Sequence, residues 1–321
     1  MSHPSLTTEK FAGVTWGWVG HTEDWSSPAA GESMEELAGL GGNWVTIAFQ
    51  GVQENAQSTT IRWGSAPLVT DDDLRSAIRH AQQLGLKVCL KPVVNCASGT
   101  WRAHIGFFDA DVPGEPTWAE WFAAYTEFIL HYARIAETEG CPLFCIGCEM
   151  VRADSREGEW RTLIEKVRQV YSGAITYNCD KYQEDRLTWW DAVDVISSSG
   201  YYPAGTWTAQ LDRIQETVLS AGKPFLFLEA GCPSREGSAA RPNDWELKGD
   251  VSLETQDAYY AEMFAETAKR PWFGGFMLWD WPARLYDVVD APRNDDYCPF
   301  AKPAAERIRA HFTSMMVGDG R

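Results

Sequence analysis

The apolar residues of this chain follow two patterns that alternate along its length. Short continuous apolar runs, typical of strands buried on both faces of a parallel sheet, are followed by stretches in which apolar residues recur every three or four positions, as on the buried face of a helix. The runs predict strands at residues 11–18, 43–50, 87–95, 143–149, 174–178, 193–201, 224–231 and 274–280. The helical stretches between and after them lie at 34–40, 74–84, 118–132, 160–167, 211–218 and 259–264, with a weak one near Trp189 and a last one after Pro303.

Repeated strand–helix units of this kind predict an α/β fold, a single (β/α)8 TIM barrel. No linker, low-complexity tract or finer repeat interrupts the pattern, so residues 1–321 are expected to form one domain. The predicted helix-to-strand connections are short, whereas several strand-to-helix connections are long, among them 51–70, 96–116, 231–251 and 281–302. Long loops without secondary structure of their own are usually functional. We therefore expect the site at the C-terminal face of the barrel, where the strands end.

Charge and composition narrow the possible partners. The formal net charge of −17 argues against nucleic-acid binding, because no basic patch could offset that field near phosphates. No apolar run approaches the ~20 residues of a membrane-spanning helix, so no membrane partner is predicted. Met1–Pro4 does not open a signal peptide, which predicts a cytoplasmic protein whose eight cysteines are reduced core thiols. Since Cys141, Cys145 and Cys148 lack zinc-site spacing and no phosphate-binding glycine loop follows a strand, neither a metal nor a cofactor is predicted.

Two of the predicted strands end in a glutamate. Glu149 closes the fourth strand, and Glu229 lies near the end of the seventh, in the run Pro224–Gly231. Strands four and seven lie across a barrel from each other, so inward-pointing side chains at their ends would converge over its mouth. Hydrolysis of a glycosidic bond needs such a pair, one carboxyl that protonates the leaving oxygen and one carboxylate that attacks the anomeric carbon. Carboxyl groups ~5–5.5 Å apart would make the enzyme retaining, through a covalent glycosyl-enzyme intermediate.

Segments spread over the strands carry a resemblance to known enzymes; they are Gly13–Trp18, Gly42–Val45, Leu90–Pro92, Ile146–Met150, Thr176–Asn178, Leu228–Gly231 and Phe276–Trp281. Together they resemble glycoside hydrolase family 113, chiefly β-1,4-mannanases, within the clan of retaining (β/α)8-barrel glycosidases. The resemblance implies that Glu149 is the general acid/base and Glu229 the nucleophile, acting on β-linked manno-oligosaccharides. One position departs from the wider clan. Many members carry asparagine before the acid/base to hold the sugar 2-hydroxyl, whereas this chain has Cys148.

Further residues near the strand ends are predicted to bind the substrate. Lys91 and Asn95 share one face of the third strand, and a lysine inside a barrel is costly unless it is paired, so Lys91 is expected to contact a carboxylate or a sugar hydroxyl. Tyr201 is expected to hydrogen-bond the nucleophile. Trp279, one of sixteen tryptophans, suits a flat platform under the sugar. The weaker candidates for the sugar subsites are Trp16, Trp18, Asn178, Asp180 and Trp281, the last of which would extend the platform or cover it.

Two other interpretations stay open on the sequence. The same two-glutamate mechanism would serve another β-glycoside, as in a β-glucosidase or β-galactosidase. A barrel of this kind could also bind sugar without hydrolysing it, although the presence of both glutamates speaks against a silent site. The pattern predicts no oligomeric state and does not distinguish endo from exo cleavage.

Overall fold

Eight parallel strands form a closed barrel in the computed structural model, which describes residues 6, 9–109 and 112–317. Each strand pairs with the next along the chain, and the eighth closes the barrel against the first. The strands are β1 (Phe11–Trp16), β2 (Trp44–Gln53), β3 (Lys87–Cys96), β4 (Leu143–Cys148), β5 (Ala174–Cys179), β6 (Val195–Ser199), β7 (Phe225–Glu229) and β8 (Phe273–Trp281). The predicted (β/α)8 barrel is confirmed.

α-Helices surround the barrel and lead from one strand to the next. They are α1 (Thr22–Trp25), α2 (Pro28–Ala38), α3 (Asp71–Gln83), α4 (Trp118–Thr138), α5 (Glu157–Arg168), α6 (Trp207–Ala221), α7 (Leu253–Thr267) and α8 (Pro303–Val317). The weak helix predicted near Trp189 is wrong, because the fully described connection from β5 to β6 contains only the 3-10 helix Trp190–Ala192. Trp189 and Trp190 are both buried, and their indoles donate to the Asp154 and Glu184 carbonyls at 2.9 Å and 2.8 Å, so tertiary contacts override the weak helical pattern.

Local sequence decides where the long helices begin. Thr70 caps α3 and exchanges hydrogen bonds with Asp73, and Thr117 and Glu120 form the same capping box at the start of α4. The helix α4 then turns one apolar face to the barrel, through buried residues such as Trp121, Tyr125, Phe128, Ile129 and Tyr132. Burial of each such side chain contributes roughly 1.5–3 kcal/mol, so packing rather than helix propensity holds these helices in place.

The alternation of side chains along each strand produces two apolar layers. One set points into the barrel and fills its lower part; it includes Phe11, Trp44, Cys89, Leu143, Cys145, Leu226, Leu228 and Met277. The other set packs between the strands and the surrounding helices. Because the interior is filled with side chains and is not a pore, a ligand can reach only the residues near the carboxyl ends of the strands.

The connections differ in length in the way the sequence predicts. From helix to strand they are short, as at 84–86, 139–142 and 222–224. Four strand-to-helix connections are long, at 54–70, 97–117, 230–252 and 282–302. These four loops leave the carboxyl ends of their strands and build up the same face of the barrel, which is the face where a site is expected.

The eight cysteines are buried free thiols, consistent with their expected use as small core residues. Among the described helices, none has both the length and the apolar content to cross a membrane. The expectation of no signal peptide was based on Met1–Pro4, which lies outside the described residues.

Candidate active site

Glu149 and Glu229 lie at the C-terminal face of the barrel, at the ends of β4 and β7. Glu229 is the last residue of β7, and Glu149 immediately follows β4. Their exposed fractions are only 7% for Glu149 and 4% for Glu229, so both carboxylates are largely removed from water. The cost of burying two acids is large unless each finds hydrogen-bond donors or positive charges. The surrounding side chains supply both.

Glu229 accepts hydrogen bonds on both of its carboxylate oxygens. Lys91 Nζ, fully buried on β3, lies 2.5 Å from Oε1, and the Cys148 thiol donates to the same oxygen at 3.3 Å. The Tyr201 hydroxyl donates to Oε2 at 3.0 Å. The two contacts expected from the sequence, Lys91 with a carboxylate and Tyr201 with Glu229, are both present. Three donors from β3, β4 and the loop after β6 therefore hold one carboxylate in a single orientation.

The surrounding charges keep the Glu229 carboxylate ionised. Burial alone would raise the pKa of Glu229, but the positive charges of Lys91 and Arg102 and the hydrogen bonds from Lys91 and Cys148 lower it below its ordinary value. Burial would likewise lower the pKa of Lys91, and the neighbouring Cys148 and Glu229 raise it on balance. The two groups therefore form a charged pair in the interior.

Glu149 has a different set of partners. The Ser199 hydroxyl donates to Oε1 at 2.7 Å, while Arg102 Nη2 at 3.1 Å and the Trp101 indole at 3.3 Å donate to Oε2. Asn95 orients Arg102, since its Oδ1 accepts from Arg102 Nη1 at 3.0 Å. The glutamate is thus held between β6 on one side and the long loop after β3 on the other.

Short chains of contacts join the two carboxylates across the barrel mouth. On one side, Arg102 Nη2 lies 3.1 Å from Glu149 and 3.7 Å from Cys148 Sγ, which itself contacts Glu229. On the other side, Asn178 accepts from Lys91 at 3.4 Å and donates to the Ser199 hydroxyl at 2.9 Å. The convergence expected from the strand order is therefore present. Asn178 lies at the site, and its contacts there are to protein groups that support both glutamates; its predicted contact with substrate stays a prediction.

Asp180 is a third acid at this face. It follows β5 and is buried to 9% exposure. Burial raises its pKa to about 7, and the negative charge of the nearby Glu149 adds to the rise. A carboxyl group with such a pKa can exchange a proton near neutral pH, and its neighbour is one of the two central glutamates.

Aromatic rings form a wall beside the carboxylates. Trp279, only 3% exposed, packs with Tyr201, Tyr297 and the partly buried Trp18. Lys91 Nζ lies 5.8 Å from the centre of the Trp279 ring. The indole N–H of Trp279 is buried and has no hydrogen-bond partner among the described protein groups, so it is a free donor within the protein. At the rim Trp245, 58% exposed, lies 6.3 Å from Trp279 between ring centres.

Comparison with known proteins connects this arrangement to a family. The sequence model of Glycoside Hydrolase Family 113 matches residues 14–302. The chain belongs to glycoside hydrolase family 113. A search of curated proteins finds no match.

Solved structures agree with the family 113 assignment. Two structures described as GH113 β-1,4-mannanase, one of them as a complex structure, are each 51% identical with a TM-score of 0.94, and each match covers 95% of this chain and 99% of that one. GH113 β-mannanase AaManA from Alicyclobacillus acidocaldarius, in complex with ManMIm, is 42% identical with a TM-score of 0.93, covering 96% and 98%. A β-glucuronidase from Faecalibacterium prausnitzii, 16% identical with a TM-score of 0.63 over 95% of this chain and 49% of that one, shares the fold alone.

Two tryptophans predicted as substrate-binding residues of this family 113 chain lie elsewhere. Trp16 packs on Trp25 in the outer layer, with 4.7 Å between ring centres, and its indole donates to the Ser33 hydroxyl at 3.2 Å. Trp281 donates to the Ser33 carbonyl at 3.0 Å, also behind the barrel. Neither residue reaches the mouth, so both predictions are wrong.

The physical reasons for these two errors differ. On β1 strict alternation sends Phe11 into the barrel and Trp16 out toward the helices. The pairing of β8 with β1 shifts register opposite the β1 residues Val14 to Trp16. This irregularity reverses the side of the sheet to which the β8 side chains after Trp279 point. Trp281 therefore points outward although it is two residues after an inward-facing tryptophan.

Sequence reasoning missed other residues that meet at the family 113 site. Arg102 and Trp101 contact Glu149, Ser199 bonds it from β6, and Tyr297 and Trp245 complete the aromatic wall. The signal available was the length of the loop at 97–117, which indicated function without saying which of its residues returns to the barrel. For Ser199, its inward facing on the sixth strand was visible, but the partner was not.

Proposed function

We propose that this protein hydrolyses β-1,4-mannosidic bonds in manno-oligosaccharides with retention of configuration, with Glu229 as the nucleophile and Glu149 as the general acid/base. The observation that carries the proposal is the difference between the two carboxylates. Glu229 is kept ionised by a buried lysine and accepts donors on both oxygens, as a nucleophilic carboxylate requires. Glu149 faces the loop with Arg102 and the half-exposed Trp101, on the open side of the site.

The first chemical step forms an ester between enzyme and sugar. A carboxylate oxygen of Glu229 forms a bond to the anomeric carbon, the bond to the glycosidic oxygen breaks, and its electron pair takes the proton of Glu149. The leaving sugar departs as an alcohol. In the second step Glu149, now ionised, removes a proton from water while the water oxygen attacks the anomeric carbon and releases Glu229. Two inversions leave the product in the β configuration of the substrate.

The choice of mannose is supported by the relatives. The solved structures at 51% and 42% identity are described as β-1,4-mannanase and β-mannanase and match nearly their whole length. The aromatic wall around Trp279 offers a flat surface and a free indole donor, which suit the apolar face and the hydroxyls of a pyranose. Since Cys148 stands where many members of the wider clan carry asparagine, another group would have to hold the sugar 2-hydroxyl.

Mannopentaose and cellopentaose, incubated separately with the enzyme, test the substrate and the stereochemistry. We expect cleavage of mannopentaose, with NMR showing the β-anomer of the new reducing end before mutarotation. The α-anomer as first product would contradict retention. Preferential cleavage of cellopentaose would favour another β-glycoside as substrate, and binding without hydrolysis would favour a sugar-binding barrel. Glu229→Gln should fold normally and lose turnover, and an active variant would refute the assignment.

Azide can separate the roles of the two glutamates on an aryl β-mannoside with a good leaving group. In Glu229→Ala, azide can replace the missing nucleophile from the opposite face, and we expect an α-mannosyl azide. In Glu149→Ala, azide can intercept the glycosyl-enzyme without base assistance, and we expect a β-mannosyl azide. The reverse pattern would exchange the proposed roles.

We also propose that the enzyme works in a reducing compartment, the cytoplasm, on oligosaccharides that have been taken up. The eight buried free thiols support this proposal, because exported proteins commonly pair their cysteines. Cell fractionation with an antibody against the protein tests it, and recovery from the culture medium would contradict it.

A further inference from the structure

The backbone of Glu149 adopts an unfavourable conformation that contacts with neighbouring residues must stabilise. Its φ is 52°, in the left-handed region, which is unfavourable for a residue with a side chain. Such a residue keeps its direction only if the chain is fixed on both sides. On one side the Glu149 N–H donates to the Asn178 carbonyl at 2.8 Å. The next peptide is fixed by a β5 side chain on the outer face of the barrel, because the Met150 N–H donates to the Tyr177 hydroxyl at 3.0 Å.

Tyr177 joins this peptide to Asp154 in a closed ring of hydrogen bonds. The tyrosine hydroxyl accepts from Met150 and donates to the Asp154 carboxylate. The chain then returns on itself, since the Asp154 N–H donates to the Met150 carbonyl at 3.0 Å and the Ala153 N–H donates to it at 2.7 Å. The turn that follows Glu149 is thus tied to β5 by one phenol and one carboxyl group.

The surroundings leave the Tyr177 ring little freedom. It packs against both Trp160 and Trp189, with ring centres 5.1 Å and 4.9 Å away. The same two indoles donate to the Ala153 and Asp154 carbonyls at 2.8 Å and 2.9 Å. Under the ring, a Cβ on Gly147 would come within 2.8 Å of Tyr177, so only glycine allows this approach. The hydroxyl therefore has a defined position behind the strand that carries Glu149.

We propose that Tyr177 and Asp154 are positioning residues for Glu149: they fix the peptide after it and so aim its carboxyl group at the glycosidic oxygen. The proposal depends on the acid/base role given to Glu149 above. Tyr177 belongs to the outer layer and has no contact with either central carboxylate, so its effect on the reaction must pass through the backbone. Proton donation to a leaving group depends on geometry, and a misplacement of about 1 Å can cost ~10²-fold in rate.

A series of aryl β-mannosides distinguishes positioning from general destabilisation. A poor leaving group such as phenol needs the proton from Glu149, whereas dinitrophenol departs without it, so kcat/KM on the two substrates reports acid catalysis separately. For Tyr177→Phe we expect kcat/KM to fall roughly 10- to 100-fold on the phenyl substrate and to stay within about threefold on the dinitrophenyl one. Asp154→Asn should show the same selective loss on the phenyl substrate, but a smaller one. Glu149→Ala should show the largest selective loss of kcat/KM on the phenyl substrate.

Tyr171→Phe is the matched control. Like that of Tyr177, its buried hydroxyl hydrogen-bonds a backbone group, donating to the Cys141 carbonyl at 2.7 Å, but Tyr171 lies before β5, away from the mouth. We expect no difference between leaving groups for this variant. An equal loss on both substrates for Tyr177→Phe, or no loss, would overturn the proposal. If Tyr177→Phe does not fold, Asp154→Asn decides by the same comparison.

Failure of the proposed function would have a different signature. A wild-type enzyme inactive on every aryl mannoside would contradict the mannose assignment, and the leaving-group comparison would then be made on the aryl glycoside that is hydrolysed. Activity retained in full by Glu149→Ala on the phenyl substrate would contradict the acid/base role and, with it, the positioning role of Tyr177.

Discussion

Lys91 Nζ lies 2.5 Å from Glu229 Oε1, and both side chains are buried at the mouth of the barrel. A pair of opposite charges removed from water is stable only while both members are present, because either one alone would be an uncompensated buried charge. In this protein the lysine also faces the ring of Trp279, so one ammonium group contacts both the proposed nucleophile and the proposed sugar platform. Lys91 is therefore central to the charge state of the site.

Lys91→Met should shift the pH dependence of catalysis. The pKa of Glu229 is lowered in the folded protein although burial opposes this, and Lys91 is the first of the charges that lower it. Without Lys91 that pKa rises, so the ionised nucleophile is lost at a higher pH as the solution is acidified. We expect the acid limb of kcat/KM against pH to move upward, and kcat/KM at the wild-type optimum to fall by ~10-fold or more, about 1.4 kcal/mol.

Lys87→Met is the control for this experiment. Lys87 is at the other end of β3 and pairs with Glu9 at 2.8 Å. Its removal should leave the acid limb where it is. An unchanged acid limb in Lys91→Met would show that the lysine does not set the ionisation of Glu229.

Two tryptophan variants should separate the platform from the packing layer. Trp279→Phe removes the free indole donor and part of the ring beside the carboxylates, so we expect kcat/KM on mannopentaose to fall ~10-fold with little change in Tm. Trp16→Phe breaks the hydrogen bond to Ser33 and thins the outer layer, which should cost about 1–3 kcal/mol of stability and leave kcat/KM within about twofold. Steady-state kinetics and thermal unfolding measure both effects. The opposite result would mean that Trp16 contributes to the site and that Trp279 contributes only to stability.

Asp280→Asn should change how stability depends on pH. Burial raises the pKa of Asp280 to about 8, and the charges of Asp296 and Glu229 add to the rise. The folded protein therefore holds this proton more tightly than the unfolded chain, where an aspartate titrates near ~3.9. The resulting stability is fully present below about pH 4 and is lost as the pH rises toward about 8.

Asparagine cannot ionise, so the Tm of Asp280→Asn relative to the wild type should increase from pH 5 to pH 8, by ~2 °C or more. Thermal unfolding at several pH values measures the difference. Asp287→Asn, a change at an exposed residue of the loop that follows β8, should give a difference that does not vary with pH. A constant difference for Asp280→Asn as well would mean that Asp280 is ionised throughout this range.

Part of the site could be predicted because it depends on strand order and burial alone. Glu149 and Glu229 end strands that face each other in any barrel of this topology, and Lys91 lies inside the barrel, where it needs a negative partner. The hydrogen bond from Tyr201 was expected from its place at the end of the predicted sixth strand, residues 193–201. Arg102 could not be predicted in the same way, because it lies on a long loop whose path depends on distant contacts.

By itself, the sequence determined the alternation of eight apolar strands with helices, the face with the long loops and the two glutamates that meet there. These properties follow from periodic burial, which is local and recurs along the chain. Only the tertiary structure decided that a shift in the pairing of β8 turns Trp281 outward, that Arg102 returns to Glu149, and that Tyr177 fixes the turn behind it. The physical reason is that a bulge, a loop path and a hydrogen bond across the barrel wall depend on groups far apart in sequence, which no local pattern records.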